Sequence, residues 1–322
     1  MRYIIYGAGA IGGVIGARLF RAGKEVILIA RGPHLEAIHE HGLKLETPEW
    51  TETFRIPAVS GPAEIRFQEG DAVILGMKSQ DTEAAVTALR AAAGDVLPVV
   101  CTQNGVVNER TALRRFENVY AMLVILPAMH MAPGVVEQNF APVPGILDTG
   151  RYPAGIDSTT EMICADLRDG GFSALADAAV MRQKYAKLLM NLTNAFQVIC
   201  GNEADGREIL RAARQEAIAC YQAAGIDYAT DEEVRNRRGN LITIKPIGEG
   251  RTRGSSSWQS AMRRTGSIEA DWLNGEICLL GRLHGVPTPV NRLLQTTANR
   301  IAREKLPPGS MSSEELLRLM KQ

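Results

Sequence analysis

The chain opens with an apolar run that passes straight into a glycine-rich turn, "YIIYGAGAIGG" (3–13). Few short stretches restrict a fold more. Gly7, Gly9 and Gly12 keep the GxGxxG spacing between a strand-like run and a helical pattern over about residues 10–22, which Gly23 ends. In that setting Gly7 permits a tight turn, Gly9 lets the backbone approach a pyrophosphate, and Gly12 lets helix and strand pack closely. Ala10 and Ile11 open the helix, whose N-terminus favours negative charge, and complete the expected cofactor-contacting set. A purely structural glycine turn is the alternative. The strand–turn–helix context favours a dinucleotide.

The rest of the first half repeats this texture. Buried strands are expected at "EVILIA" (25–30), "DAVILGM" (71–77), "LPVVCTQ" (97–103) and "YAMLVIL" (120–126). Continuous Val/Ile/Leu runs separated by helices are what a parallel sheet covered on both faces produces. Near residue 178 the pattern changes to successive helices, at roughly 178–200, 203–224, 257–265, 268–284 and 288–305. Only "LITI" (241–244), inside a Gly- and Arg-rich segment (235–254), hints at a strand there. The expected fold is α/β: an N-terminal Rossmann-type doubly wound parallel sheet over 1–177, followed by an all-helical C-terminal domain over 178–322.

Charge narrows the partners. Lys plus Arg and Asp plus Glu number 36 each, so the formal net charge is zero. Binding to nucleic acid or an acidic membrane rests on excess positive charge, and neither partner is expected. Cys101, Cys164, Cys200, Cys220 and Cys278 are scattered, with no CxxC and no Cys/His cluster. They read as reduced cysteines of a cytoplasmic protein, with no disulfide framework and no metal site. The longest apolar run, around "AMLVILPAM" (121–129), is shorter than the ~20 residues that span a bilayer. No pattern fixes the oligomeric state, and a homodimer is left open.

The end of the second strand bears on which dinucleotide is bound. An NAD enzyme usually carries Asp or Glu there, to hold the ribose 2′-hydroxyl. This chain has Arg31 in "LIARGPH", 19 residues after Gly12. A guanidinium matches a 2′-phosphate through paired charge-assisted hydrogen bonds. Lys78 in "GMKSQDT" would add a second positive charge, so NADP (NADPH) is the expected cofactor. The plainer alternative for both is a solvated loop cation.

Two further motifs point to a reacting site. "QNGV" (103–106) follows a strand at the carboxyl edge of the sheet, where Asn104 would contact the nicotinamide end or the substrate, unless it only forms an Asn-Gly turn. "KYAKLLMNLTNAF" (184–196), read as a helix, stacks Lys187, Asn191 and Asn194 on one face. Asn is a poor helix former, so a face of this composition suggests a small polar ligand.

Together these pieces resemble the ketopantoate reductase family, NADPH-dependent reductases of a 2-keto acid. The resemblance is carried by "GAGAIG", Arg31, "MKSQ" with Lys78, "QNGV" with Asn104, "YAKLLMN" with Lys187 and Asn191, and "SSSW…IEADWLNGEI". In the last of these, Ser257 stands 12 residues before Glu269. The resemblance implies a Rossmann domain, a helical domain and an active site in the cleft between them. It implies that Lys187 is the general acid protonating the carbonyl oxygen. Glu269 would hold a substrate hydroxyl and help position that lysine. Asn104, Asn191 and Ser257 would hydrogen-bond the substrate, and Arg31 and Lys78 would grip the 2′-phosphate. The expected reaction is reduction of 2-dehydropantoate (ketopantoate) to pantoate.

Two positions depart from the family pattern. Ala195 stands where the family has a second asparagine eight residues after the lysine, and Gly254 where it has one three residues before the serine. One residue of helix is ~100° of rotation, so Asn194 does not simply replace the missing group. The alternatives are therefore a related dehydrogenase acting on a different 2-keto acid or an opine-like substrate, or a non-catalytic NADP-binding redox sensor. A lysine–glutamate pair is superfluous to a sensor. None of the five histidines lies in an assignable motif, which speaks against a histidine-based mechanism.

Overall fold

A strand buried on both faces divides its side chains between two cores, because successive residues point to opposite sides of the sheet. The first strand, Arg2–Tyr6, does this. Tyr3 and Ile5 join one core with Ala72, Ile74 and Val100, while Ile4 joins the other with Val73, Leu75, Val99 and Cys101. That division is why these strands read in the sequence as continuous apolar runs instead of alternating ones.

The computed structural model describes residues 1–245, 247 and 254–322. It forms two compact units, Met1–Lys184 with Thr230–Arg251, and Tyr185–Ala229 with Thr252–Gln322. The first unit is built on a seven-stranded sheet. Its order is Thr149–Arg151, Val119–Met122, Val99–Cys101, Asp71–Leu75, Arg2–Tyr6, Glu25–Ile29 and Ala58–Val59. Every neighbouring pair is parallel except Thr149–Arg151 with Val119–Met122. Tyr6 is in register with Ile29 on one side and Leu75 on the other. The strand order reverses there, which opens a crevice outside the carboxyl ends, the place where doubly wound sheets bind ligands.

A smaller sheet, ordered Thr51–Phe54, Leu43–Glu46, Val135–Gln138 and Ala128–Met129, belongs to the same unit. Val136 shares the core of the Ala10–Arg21 helix. A side chain at Gly13 would meet Val136 Cγ1 at 2.8 Å, so that helix is also fitted closely to the second sheet.

The strand hinted at by "LITI" is present at Ile242–Ile244 and pairs antiparallel with Phe140–Pro142 of the first unit. Before it, helix Asp231–Arg238 starts with a capping box between Thr230 and Glu233. Arg237 on that helix forks onto Asp148, with two contacts of 2.6 Å, and donates to Ser173 Oγ at 3.0 Å. The rest of the Gly- and Arg-rich segment, residues 246 and 248–253, lies outside the described residues.

The helix expected over 178–200 is two helices, Val180–Asn191, whose residues from Tyr185 onward belong to the second unit, and Thr193–Cys200, with Leu192 between them. Arg207–Ala224 and Asn274–His284 end at Gly225 and Gly285, both left-handed. Phe196, Val198, Ile199, Ile209, Ala213, Leu294, Ile301 and Leu316 form the core. Glu216 accepts from the backbone N–H groups of Val290 and Asn291 at 2.8 and 2.9 Å, placing a carboxylate at the N-terminus of helix Pro289–Arg303. Among the described residues, no helix is long and apolar enough to cross a membrane.

The Arg237–Asp148 pair is largely buried, with side-chain exposures of 15% and 3%. Arg237→Met would leave the Asp148 carboxylate buried without its countercharge, which costs about 3 kcal/mol or more. A chemical-denaturation titration should register that loss; an unchanged midpoint would mean the fork does not anchor the 230–245 segment.

Candidate active site

The glycine turn is held by backbone contacts that exclude side chains. Gly7 has φ +101°, and a Cβ there would lie 2.6 Å from the Met77 nitrogen. At Gly12 a Cβ would lie 2.2 Å from the Gly7 carbonyl oxygen and 2.9 Å from Ile5 Cγ2. Both residues are therefore fixed by how closely the strand, the helix and the Gly76–Met77 strand end approach one another. Gly9 differs: its φ is −73°, and nothing lies within 4 Å of where its Cβ would be. It stands at the head of helix Ala10–Arg21, which has no side-chain cap. An uncapped helix N-terminus with open space before it fits a phosphate group.

His34 secures this turn from the side. Its Nε2 lies 2.7 Å from the Ala8 carbonyl and its Nδ1 accepts the Gly134 N–H at 2.9 Å. The ring is thus neutral with the proton on Nε2, and burial pushes its pKa down. Its role is structural, and no motif in the sequence marks it.

Arg31 immediately precedes helix Gly32–His41 without a side-chain capping bond, and its side chain is 77% exposed, with the guanidinium 3.6 Å from Asp81. Lys78 is half-buried and immediately precedes the 3-10 turn Ser79–Asp81 that carries this aspartate. The two expected cations therefore follow strands on either side of Arg2–Tyr6, with Asp81 next to the first. A pair this exposed contributes little to stability, so Asp81 is a weak competitor for Arg31.

Asn104 is half-buried on the loop after strand Val99–Cys101. A buried network ties that loop to the Lys78 loop. Asn108 Nδ2 donates to the Asn104 carbonyl at 3.2 Å and to Ser79 Oγ at 3.1 Å. Thr82 Oγ1 donates to Asn108 Oδ1 at 2.8 Å, and Gln103 Nε2 donates to Thr82 Oγ1 at 3.2 Å. Sequence reading missed Asn108 and Thr82, whose side-chain partners lie 21 to 29 residues away in the chain.

The remaining expected residues lie in the second unit. Lys187 and Asn191 are half-buried on helix Val180–Asn191. Asn191 Oδ1 is buried with no hydrogen-bond partner among the described residues. Ser257 is buried on helix Ser256–Met262, and it is Ser255, not Ser257, that caps the helix by accepting from Trp258 N–H at 3.3 Å. Glu269 is buried at the start of the 3-10 turn Glu269–Trp272. Ala195, Ala261, Ile268 and Ala270 share one apolar core, which joins helix Thr193–Cys200 to helix Ser256–Met262 and the Glu269–Trp272 turn.

The two departures from the family pattern also have a physical setting. Ala195 is buried in that core. At Gly254 a Cβ would lie 2.4–2.6 Å from the Trp258 ring, so no side chain fits there while the indole keeps its place.

Two family models match the chain, Ketopantoate reductase PanE/ApbA over residues 3–153 and Ketopantoate reductase PanE/ApbA C terminal over residues 179–302. A 2-dehydropantoate 2-reductase of Pyrococcus horikoshii is 27% identical over 322 residues, spanning 96% of this chain and 100% of the relative. The crystal structure of a PanE/ApbA family ketopantoate reductase from Ralstonia eutropha JMP134 is 31% identical, with a TM-score of 0.78 over 95% of this chain and 99% of that one. A D-mandelate dehydrogenase solved with NADH and anilino(oxo)acetate has a TM-score of 0.79 over 95% of this chain and 99% of its own. At 22% identity, that last likeness is one of fold.

Two alanine substitutions separate the roles of the glycines. Gly12→Ala overpacks the strand–helix contact and should cost about 1–3 kcal/mol in thermal or chemical unfolding. Gly9→Ala should leave the melting temperature unchanged and weaken dinucleotide binding measured by calorimetry. Undiminished binding would place the phosphates elsewhere.

Proposed function

The chain belongs to the ketopantoate reductase family, and we propose that it uses NADPH to reduce a 2-keto acid to the 2-hydroxy acid, with 2-dehydropantoate as the leading substrate. The observation that carries the redox reading is the uncapped helix N-terminus beside Gly9, at the point where the sheet order reverses. Ala10, Ile11 and Gly12 offer backbone N–H groups there to a pyrophosphate. Arg31 and Lys78, at the ends of the flanking strands, would pair with a 2′-phosphate, which supports NADP over NAD. The phosphate would draw Arg31 away from Asp81, since a dianion offers more charge and more acceptors than one exposed carboxylate.

NADPH, when bound, would supply a hydride to the carbonyl carbon. The carbonyl oxygen then gains negative charge, and the Lys187 ammonium gives it a proton, as a general acid does. Glu269 would accept a hydrogen bond from a substrate hydroxyl and favour the charged lysine. Asn191 supports the substrate reading directly, because its unpartnered Oδ1 would accept from a ligand hydroxyl. Ser257, buried on its helix, would donate to the carboxylate, and Asn104 would meet the nicotinamide end or the substrate. The five cysteines are free, which suits a reducing cytoplasm.

Gly254 beneath the Trp258 ring, and Ala195 in the apolar core, favour a second reading in which the 2-keto acid is not ketopantoate. Polar partners present or absent in a pocket govern discrimination between hydroxylated and plain substrates by ~10⁴ or more. NADPH oxidation against a panel of 2-keto acids separates the readings. Turnover of ketopantoate alone supports the first, turnover of another acid the second, and tight NADPH binding without turnover a redox sensor.

Lys187→Ala should lower turnover ~10²–10⁴-fold with NADPH affinity retained; unchanged turnover would remove it from the mechanism. Arg31→Ala should weaken NADPH far more than NADH in a binding titration, and equal losses would refute the 2′-phosphate assignment.

A further inference from the structure

Lys184 is among the few buried charged residues of the first unit, with only 3% of its side chain exposed. Its Nζ lies 2.6 Å from Glu109 Oε1, and it donates to the carbonyls of Gln103 at 3.1 Å and Met122 at 3.3 Å. An ammonium has three N–H donors; the two carbonyls take two of them, and the charge lies beside the Glu109 carboxylate. Glu109 is fully buried, and the approach to Lys184 is an ion pair outside good hydrogen-bond alignment. Neither carboxylate oxygen has a hydrogen-bond partner among the described residues. The Lys184 charge is what compensates it.

A buried ion pair is not a device for stability, because desolvating two charges offsets most of their attraction and an apolar pair would pack as well. Its distinctive product here is the grip on two backbone carbonyls. Met122 ends one sheet strand, and Gln103 lies just beyond the end of its parallel neighbour, Val99–Cys101. Gln103 immediately precedes Asn104. We propose that Lys184, held by Glu109, is a positioning residue that fixes the Gln103–Asn104 backbone at the carboxyl edge of the sheet and so sets where Asn104 presents its amide. The inference rests on the reductase reading only for the effect on turnover; the positioning itself is testable without it.

The test compares the full-length protein with Lys184→Met, the double variant Glu109→Leu/Lys184→Met, and Glu109→Asp. Lys184→Met alone leaves a buried carboxylate and should lower the melting temperature. The double variant removes both charges and should recover it. If positioning is the role, the double variant still shows faster hydrogen exchange at the amides of 104–106, and its kcat on the accepted 2-keto acid falls by roughly 10²-fold with NADPH affinity kept. Glu109→Asp keeps both charges but draws the ammonium away from the carbonyls, and it should lower kcat without loss of stability. Recovery of both wild-type exchange and kcat in the double variant would overturn the proposal, as would an unchanged kcat in Glu109→Asp. Should the wild type reduce no 2-keto acid, the reductase reading falls, and the exchange rates alone decide the positioning role.

Discussion

Three backbone segments meet where no side chain fits. The carbonyl oxygen of Gly7 lies within 2.2 Å of where a Cβ of Gly12 would be and 2.7 Å from that of Gly76. The first strand, the helix it feeds and the end of the neighbouring strand thus converge on one carbonyl. The rest of the first unit is arranged around this contact. It sets the helix close enough to the sheet for Ile5 and Val14 to share one core, and close enough to the second sheet for Gly13 to abut Val136. It also leaves the helix N-terminus facing the point where strand order reverses. The nucleotide site is a consequence of backbone proximity before it is a matter of side-chain chemistry.

Around that point the loops are stabilised by one another. Asn108 spans the Lys78 and Asn104 loops, Gln103 reaches Thr82, and Lys184 holds the Gln103 carbonyl. A loop that must present a polar group to a ligand cannot bury its own apolar residues, so its order comes from hydrogen bonds made behind it. Cys101, fully buried beside Glu109, is kept as a neutral thiol, its pKa pushed up first by burial and then by that carboxylate. The one buried charge pair there therefore has no third ionised neighbour from that side chain.

The sequence made the glycine turn legible because each glycine answers a local steric demand that a period and a spacing can express. The parallel strands were legible because burial on two faces leaves an unbroken apolar run. Lys187 and Asn191 stood out as a polar helix face, while Ser257 and Glu269 were picked out only by resemblance to a family; the first two are half-buried and the last two buried. What local patterns did not carry were partners far apart in the chain. Lys184 looks like any lysine on a helix, and its partner Glu109 looks like any first-turn acid. Arg237 and Asp148 lie 89 residues apart. The second sheet is equally silent, because its short strands alternate with loops of similar composition.

The return of residues 230–245 to the first unit has a consequence for how the chain is made. The chain passes between the two units three times, and strand Ile242–Ile244 supplies the partner of Phe140–Pro142 only after helices Thr193–Cys200 and Arg207–Ala224 have been synthesised. An emerging chain can assemble the seven-stranded sheet from residues 2–151, but Asp148 waits, largely buried, for Arg237. Until then, the first unit leaving the ribosome exposes a strand edge and an uncompensated carboxylate. Its completion is tied to the synthesis of the other unit, so the two cannot be separated by a single cut in the chain.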